Sequence, residues 1–278
     1  MNRLSVFLGL FLLFSSFSGQ SQNTEIVRKG RFFFGWGYNR AQYSSSDIHL
    51  WGPGYDFVLD NVLASDRPEA FNLRVYANPV HLARPQYNFK IGYYLTDKIS
   101  ISLLDDHMKY VMRNWQPVLM EGYITEAASS QFAGQYNDSV MMLSPDFLYF
   151  EHTNGLNLLG AEIDFMDSLW SSRKYKLKLS MEAGGGIGVL YPRSDITVFG
   201  NPGANLFHTA GYGLSAHIGL RLDMGKHFFL RATVKPGWIN LPNILTYSDR
   251  AHGASQKFFF LEEYVQLCYI LPSLKRKK

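Results

Sequence analysis

Two histidines in this chain stand directly beside carboxylates: His107 follows Asp105 and Asp106, and His152 follows Glu151. A histidine oriented by an acid is the commonest general base for activating a hydroxyl or a water, provided the nucleophile lies within hydrogen-bond reach. Hydroxyls are available in a third segment, where Ser44, Ser45 and Ser46 precede Asp47 and His49. The chemistry these groups suit is hydrolysis or transfer of an acyl group, with Asp106, His107, Glu151 and His152 as candidate catalytic residues. Neighbouring His and acid residues also occur often by chance, so the plainer reading gives both histidines a structural or ligand-contacting role.

Other motifs carry less. The run Gly184-Gly185-Gly186-Ile187-Gly188 lacks the Lys-Ser or Lys-Thr that completes a phosphate loop, and it reads better as a place where neighbours approach closely. The sequence has no His-Glu-x-x-His helix, no Gly-x-Ser-x-Gly elbow and no calcium loop, so no cofactor and no metal are expected. Cys268 is the single cysteine, which excludes an intramolecular disulfide and reads as a buried, inert thiol. The net charge of +4 is located in Lys275, Arg276, Lys277 and Lys278; the preceding chain balances 23 basic against 23 acidic residues. A neutral body argues against nucleic-acid binding.

The elements that must position these residues are strands. Residues 209–223 alternate Ala210, Tyr212, Leu214, Ala216, Ile218, Leu220 and Leu222 against Gly, Ser, Thr, His and Arg, a period of two over fifteen residues. Residues 175–191 repeat the pattern, with aromatic residues near both ends of the apolar face. Strands of that length, aromatic at both ends, fit tilted crossings of a bilayer. A soluble lipocalin-like barrel would carry exposed charge on its polar face, which here is crowded with Gly, Ser and Thr. Further strands are expected at 31–40, 86–95, 98–112, 156–167, 226–239 and 257–271. The fold class is therefore all-β: an antiparallel up-and-down transmembrane β-barrel of eight strands, with ten as the alternative if residues 47–59, 118–125 and 147–152 join the ring.

Connections at 96–98, 168–173 and 224–226 are short, whereas 41–85, 113–155, 192–207 and 240–256 are long; short periplasmic turns and long extracellular loops are the asymmetry of outer-membrane barrels. A positive start at Arg3, an apolar run at 6–14 and small residues at 15–21 predict a signal peptide over 1–21, leaving 22–278 as one barrel domain with a basic tail. Inward positions then include Lys90, Lys176, Lys178, Glu182, His217, Arg221, Asp223, Arg231, Lys235, Glu262 and Gln266. Among them Glu182, His217, Arg221, Arg231 and Glu262 are expected to form a polar network filling a lumen too narrow to conduct. In residues 98–112, Ile99, Ile101 and Leu103 set one phase and Met108, Tyr110 and Met112 the opposite one, which predicts a bulge near Leu104 or Asp105 that turns His107 and Lys109 inward.

The segments GWGYNRAQYSSSDIHL (35–50), DDHMKYVM (105–112), FEHTNGLN (150–157) and AGYGLSAHIGLR (210–221) resemble those of an uncharacterised family of small bacterial outer-membrane β-barrel proteins. The resemblance covers nearly the whole chain after the signal segment. It implies a place in the bacterial outer membrane, with outer-membrane lipid including lipopolysaccharide, and the barrel-assembly machinery, as partners; it brings no established activity. The chain departs from many such barrels in ending on a basic tail rather than an aromatic residue. Two functions follow as expectations: a structural or ligand-contacting role through extracellular loops, or an enzyme that modifies lipid A or phospholipid acyl chains at the outer leaflet.

Overall fold

The structure, a computed structural model, describes residues 26–70, 72–76 and 85–273; the expected signal segment and the basic tail lie outside the described residues. Among the described residues fifteen strands form. The first eight are β1 (Phe32–Tyr43), β2 (Ser46–Gly52), β3 (Tyr55–Val62), β4 (Ala64–Ser65), β5 (Tyr87–Tyr94), β6 (Ile99–Met112), β7 (Pro117–Ile124) and β8 (Gly134–Met142). They are followed by β9 (Leu148–Ser172), β10 (Leu177–Leu190), β11 (Asp195–Val198), β12 (Asn201–Pro202), β13 (Gly211–Met224), β14 (Phe228–Leu245) and β15 (Gly253–Ile270).

Eight of them close a ring in the order β1-β5-β6-β9-β10-β13-β14-β15, with β15 pairing back onto β1, and every pair is antiparallel. The eight expected strands are these eight, and the extra segments do not enlarge the ring. Following paired residues around the wall from Phe34 through Ile91, Leu103, Ala161, Ile187, Leu214, Trp238 and Phe259 returns to Ser44, just past the end of β1 and ten residues further along. That stagger tilts the strands, to about 40° in barrels of this size, and so brings inward residues distant in register to one level of the lumen. The turn after β13 is closed by Gly225, whose φ of 72° suits glycine. The expected turn at 168–173 falls later: β9 runs on to Ser172, and the turn lies at 173–176.

Outward residues form an apolar belt. Ile91, Ile101, Leu103, Ile163, Leu214, Leu220, Leu230, Val265 and Leu267 are exposed along its middle. Phe32, Trp170, Phe228 and Met224 mark its lower edge, and Tyr191, Tyr212 and Phe259 its upper edge. Large apolar side chains left exposed all around a closed sheet identify the surface as lipid-facing.

Above the belt the arrangement inverts. The upper end of β15 pairs with β2, which continues through β3 and β7 to β8, and this sheet with the tops of β6, β9, β14 and β15 encloses an apolar core. Ile48, Leu50, Phe57, Met108, Tyr110, Phe147, Phe150, Leu190, Ile239, Ile244 and Phe258 are all buried there. The phase change in β6 has this cause. Its pairing with β5 runs without a break past Leu104 and Asp105, and the same inward face carries Ser100, Ser102 and Asp106 below, then Met108, Tyr110 and Met112 above. No bulge forms at the expected place; the lining of the interior changes from polar to apolar as the strand leaves the membrane. A register shift does occur higher, between Met108 and Tyr110.

The extracellular sheet depends on aromatic packing, with the Phe147 ring 5.6 Å from Phe57, 5.1 Å from Phe132 and 5.7 Å from Phe199. Phe147→Ala should destabilise this region by about 3–5 kcal/mol. Limited proteolysis should then cut the extracellular segments faster, while the barrel keeps its heat-dependent gel mobility.

Candidate functional site

Three places hold the residues singled out by the sequence: the lumen, the outer wall at the upper edge of the belt, and the extracellular core.

The lumen holds a chain of alternating charges. Starting from the periplasmic end, Arg28 meets Asp223 at 2.5 Å, Asp223 meets Arg221 at 2.7 Å, and Arg221 meets Glu182 at 3.3 Å. Glu182 lies 2.6 Å from Arg231, which lies 3.6 Å from Asp164. Lys90 joins Asp164 at 3.6 Å to Glu162 at 2.5 Å, and Lys235 continues from Glu162 at 2.5 Å to Asp106. Ten charged groups thus alternate in sign. Beyond them Asn88 donates to both Asp106 and Glu262, and Asn39 donates to Glu262 at 2.6 Å. His217 branches from the middle, with Nε2 3.0 Å from Asp164. Leaving a buried charge unpaired costs several kcal/mol, and here every link has a partner of opposite sign or an amide.

Glycine makes room for this arrangement. A Cβ at Gly184 would lie 2.7 Å from the His217 ring, and one at Gly186 would lie 2.4 Å from the Glu162 side chain. The glycine run therefore clears space inside the barrel. At the periplasmic end Phe33, Tyr94, Met166, Phe229, Cys268 and Ile270 form an apolar seal around the lowest charges, with Phe229 paired to Asp223 across β14 and β13. Arg221 packs 3.5 Å above the Phe229 ring, joining seal to network. Glu162, Asp164 and His217 are spaced so that they could share a metal ion, but Lys90 and Arg231 already lie on the two carboxylates. Of the positions expected to face inward, Lys176 instead occupies the turn after β9 with φ 53°, and it is exposed.

His107 lies on the wall, not in the lumen. It shares the outward face of β6 with Asp105, while Asp106 points inward to Lys235, so Asp106 and His107 sit on opposite sides of the sheet. Lys109 follows the same parity as His107 and is likewise not turned inward. The His107 ring is only 2% exposed because Tyr87 stacks on it at 4.8 Å, with Trp36 stacked on Tyr87 at 4.7 Å. Its Nδ1 lies 2.7 Å from Oδ1 of Asn157, and the Asn157 amide donates to the Tyr191 carbonyl at 3.1 Å. These contacts brace the upper aromatic ring.

His152 lies above the belt, fully buried between Tyr110 and Phe150, with Nδ1 2.8 Å from Ser194 Oγ. Nε2 has no hydrogen-bond partner among the described residues. Glu151 does not orient this ring; it accepts from Tyr149 and Thr153 and pairs with Arg67 at 2.8 Å. A Ser and a His in contact are two parts of an acyl-transfer site, but here Ser194 and His152 are 2% and 0% exposed, so a substrate has no access to either. The Ser194 contact is 42 residues distant in sequence, which is why no local pattern announces it.

Burial, with His208 nearby, lowers the His152 pKa from its ordinary 6.5 to about 3. The folded protein keeps this ring neutral, while the unfolded chain protonates it below about pH 6.5. The stability that the neutral ring contributes is intact above about pH 6.5. It is lost as pH falls from there toward about 3, by at most about 1.4 kcal/mol per pH unit. His152→Gln should flatten this part of the pH dependence in chemical unfolding. In the lumen, Lys235→Met leaves Asp106 and Glu162 short of a cation and should cost about 3–5 kcal/mol in urea unfolding from lipid vesicles. Adding Asp106→Asn to that variant should recover part of the loss.

No protein-family model matches the chain, and no curated protein matches it in sequence. Among solved structures it is similar to the outer membrane protein AlkL determined by solid-state NMR in DMPC bilayers, at 11% identity and a TM-score of 0.44, over 94% of this chain and 99% of that one. It is similar to the outer membrane protein OprG from Pseudomonas aeruginosa, at 12% identity and a TM-score of 0.36, over 88% of this chain and 97% of that one. It is also similar to Ail, the attachment invasion locus protein of Yersinia pestis, at 12% identity and a TM-score of 0.31, over 86% and 99% of the two chains. The architecture itself rests on this chain's own pairing: a closed eight-stranded barrel of the outer-membrane type, with a lipid-facing belt and a sealed, charge-filled lumen.

Proposed function

We propose that the protein is a non-enzymatic outer-membrane barrel that displays a rigid extracellular β-sheet for contact with partners outside the cell. The observation that carries this reading is the sheet itself: β2, β3, β7 and β8 extend beyond the ring, pack on an apolar core shared with the tops of the ring strands, and present exposed apolar side chains outward. Trp115, Leu119, Val140 and Met142 are 67%, 43%, 74% and 47% exposed, and they are neighbours, since Leu119 pairs with Val140, Pro117 pairs with Met142 and Trp115 bonds to the residue after Met142. Exposed apolar patches above a membrane are contact surfaces more often than accidents.

The acyl-chain enzyme draws little support from the geometry. Asp106 and His107 face opposite ways, His107 is stacked under Tyr87, and His152 is enclosed. The two readings separate in one experiment on cells making the wild-type protein, His107→Ala, His152→Ala, Leu119→Ser with Val140→Ser, or none. Display predicts unchanged acyl-chain masses of outer-membrane lipids in all five. It also predicts attachment to immobilised matrix protein or to other cells that the paired serine variant reduces severalfold while the barrel stays folded. An acyl-chain change that requires either histidine, or attachment indifferent to the serine substitutions, overturns it.

A further inference from the structure

The neutral body of this chain conceals a separation of charge. The extracellular segments 44–65 and 113–147 hold seven acidic residues against Arg113 alone, whereas the periplasmic segments 29–31, 95–98, 167–178 and 224–228 hold eight lysines and arginines against Asp97 and Asp167. Both of those periplasmic acids are already engaged. Asp97 accepts the backbone N–H groups of Arg28 and Lys29 at 2.6 and 2.9 Å, and Asp167 lies 2.7 Å from Lys98. Among the described residues Lys174, Lys176 and Lys226 form no ion pair, and the lumen network ends at Arg28 without using them.

The excess gathers where two turns meet. The turn at 173–176 joins β9 to β10, and its Lys176 carbonyl accepts the Gly225 N–H of the turn after β13 at 2.8 Å. That bond brings Arg173, Lys174, Lys176 and Lys226 to one side of the rim, and all four are exposed. Beside them Leu169, Trp170 and Tyr175 are 43%, 48% and 64% exposed, and the Lys174 ammonium lies 5.2 Å from the Tyr175 ring centre. Depth decides what this corner meets. Trp170 marks the lower edge of the belt, and the turn begins three residues later, about 10 Å along the strand. Strand tilt reduces that to about 8 Å of depth, and the headgroup layer of one leaflet is about 5–8 Å thick. The cations therefore stand at the level of lipid phosphates.

Like charges crowded at such an interface repel one another unless an anion stands among them. We propose that this corner of the rim binds anionic phospholipid of the periplasmic leaflet, its phosphate drawn in among Arg173, Lys174, Lys176 and Lys226 and its acyl chains against Leu169 and Trp170. A phosphatidylglycerol headgroup brings negative charge and no cation. Phosphatidylethanolamine brings an ammonium that these side chains repel. A soluble acidic polymer of the periplasm would meet the charges but gain nothing from the exposed Leu169 and Trp170, so the apolar flank favours a lipid. This surface is independent of the extracellular sheet and of its proposed role.

The test reconstitutes the full-length barrel in vesicles of phosphatidylethanolamine with a minority of phosphatidylglycerol, releases it in polymer-bounded discs, and measures the lipid composition of the discs by mass spectrometry. Discs around the wild type should be enriched in phosphatidylglycerol about threefold over the parent vesicles, and added salt should erode the enrichment. A triple variant, Arg173→Gln with Lys174→Gln and Lys176→Asn, should return the discs to the parent composition; asparagine suits the φ of 53° at position 176. Removing two extracellular cations instead, by Arg250→Gln with Lys257→Gln, should leave the enrichment intact. Heat-dependent gel mobility reports folding, and if the triple variant fails it, Lys174→Gln with Lys226→Gln replaces it and should reduce the enrichment. Parent composition around the wild type, or enrichment that survives in a folded rim variant or in high salt, overturns the proposal. So does sedimentation with purified peptidoglycan that the rim variant loses while the wild-type discs show no enrichment, which would assign the rim to an acidic polymer.

Discussion

The structure depends on one interaction: the chain of alternating charges that crosses the barrel from Arg28 to Asp106. An eight-stranded ring leaves a lumen that side chains must fill, and a lumen filled with carboxylates and cations holds together only if each finds an opposite. Six of the ring strands contribute ionised links, Arg28 adds one from just before β1, and the amides of Asn39 and Asn88 extend the chain to Glu262 on the last strand. Cross-linking of this kind fixes register all around the wall. It also excludes water from the axis, since an apolar seal surrounds its lower end and an apolar core lies above it.

That ordering explains how one set of strands serves two solvents. Within the membrane the outward face must be apolar and the inward face can be charged. Above it the outward face meets water and the inward face must be apolar. The strand β6 makes the change between Asp106 and Met108 without altering its parity, and β15 makes it between Glu262 and Phe260. The wall stays continuous while the side-chain pattern inverts.

Much of this was legible from the residues alone. Period-two alternation located all eight ring strands, and the lengths of the connections oriented them. The inversion was legible too, as the phase change in residues 98–112, but one sequence offers two explanations for such a change, a bulge or a new environment, and only the pairing of β5 with β6 distinguishes them. A bulge would turn His107 inward, whereas the unbroken pairing keeps it on the wall. The strand β8 gave no signal because Gly134 to Met142 is half-exposed on both sides. The partners inside the lumen were identifiable by type and sign, whereas their pairing depends on the ten-residue stagger, which no local pattern reveals. The Ser194 contact of His152 and the meeting of the turns that carry Lys176 and Lys226 arise the same way, from residues brought together across the sheet.

The lumen is closed by its own charges. Conductance of the purified barrel reconstituted in a planar bilayer tests that claim most directly. A membrane current indistinguishable from the protein-free baseline, in high salt and at either polarity, is the result this account predicts. Stable, stepwise ion currents would require a water-filled path past Lys90, Arg221, Arg231 and Lys235, and would contradict it.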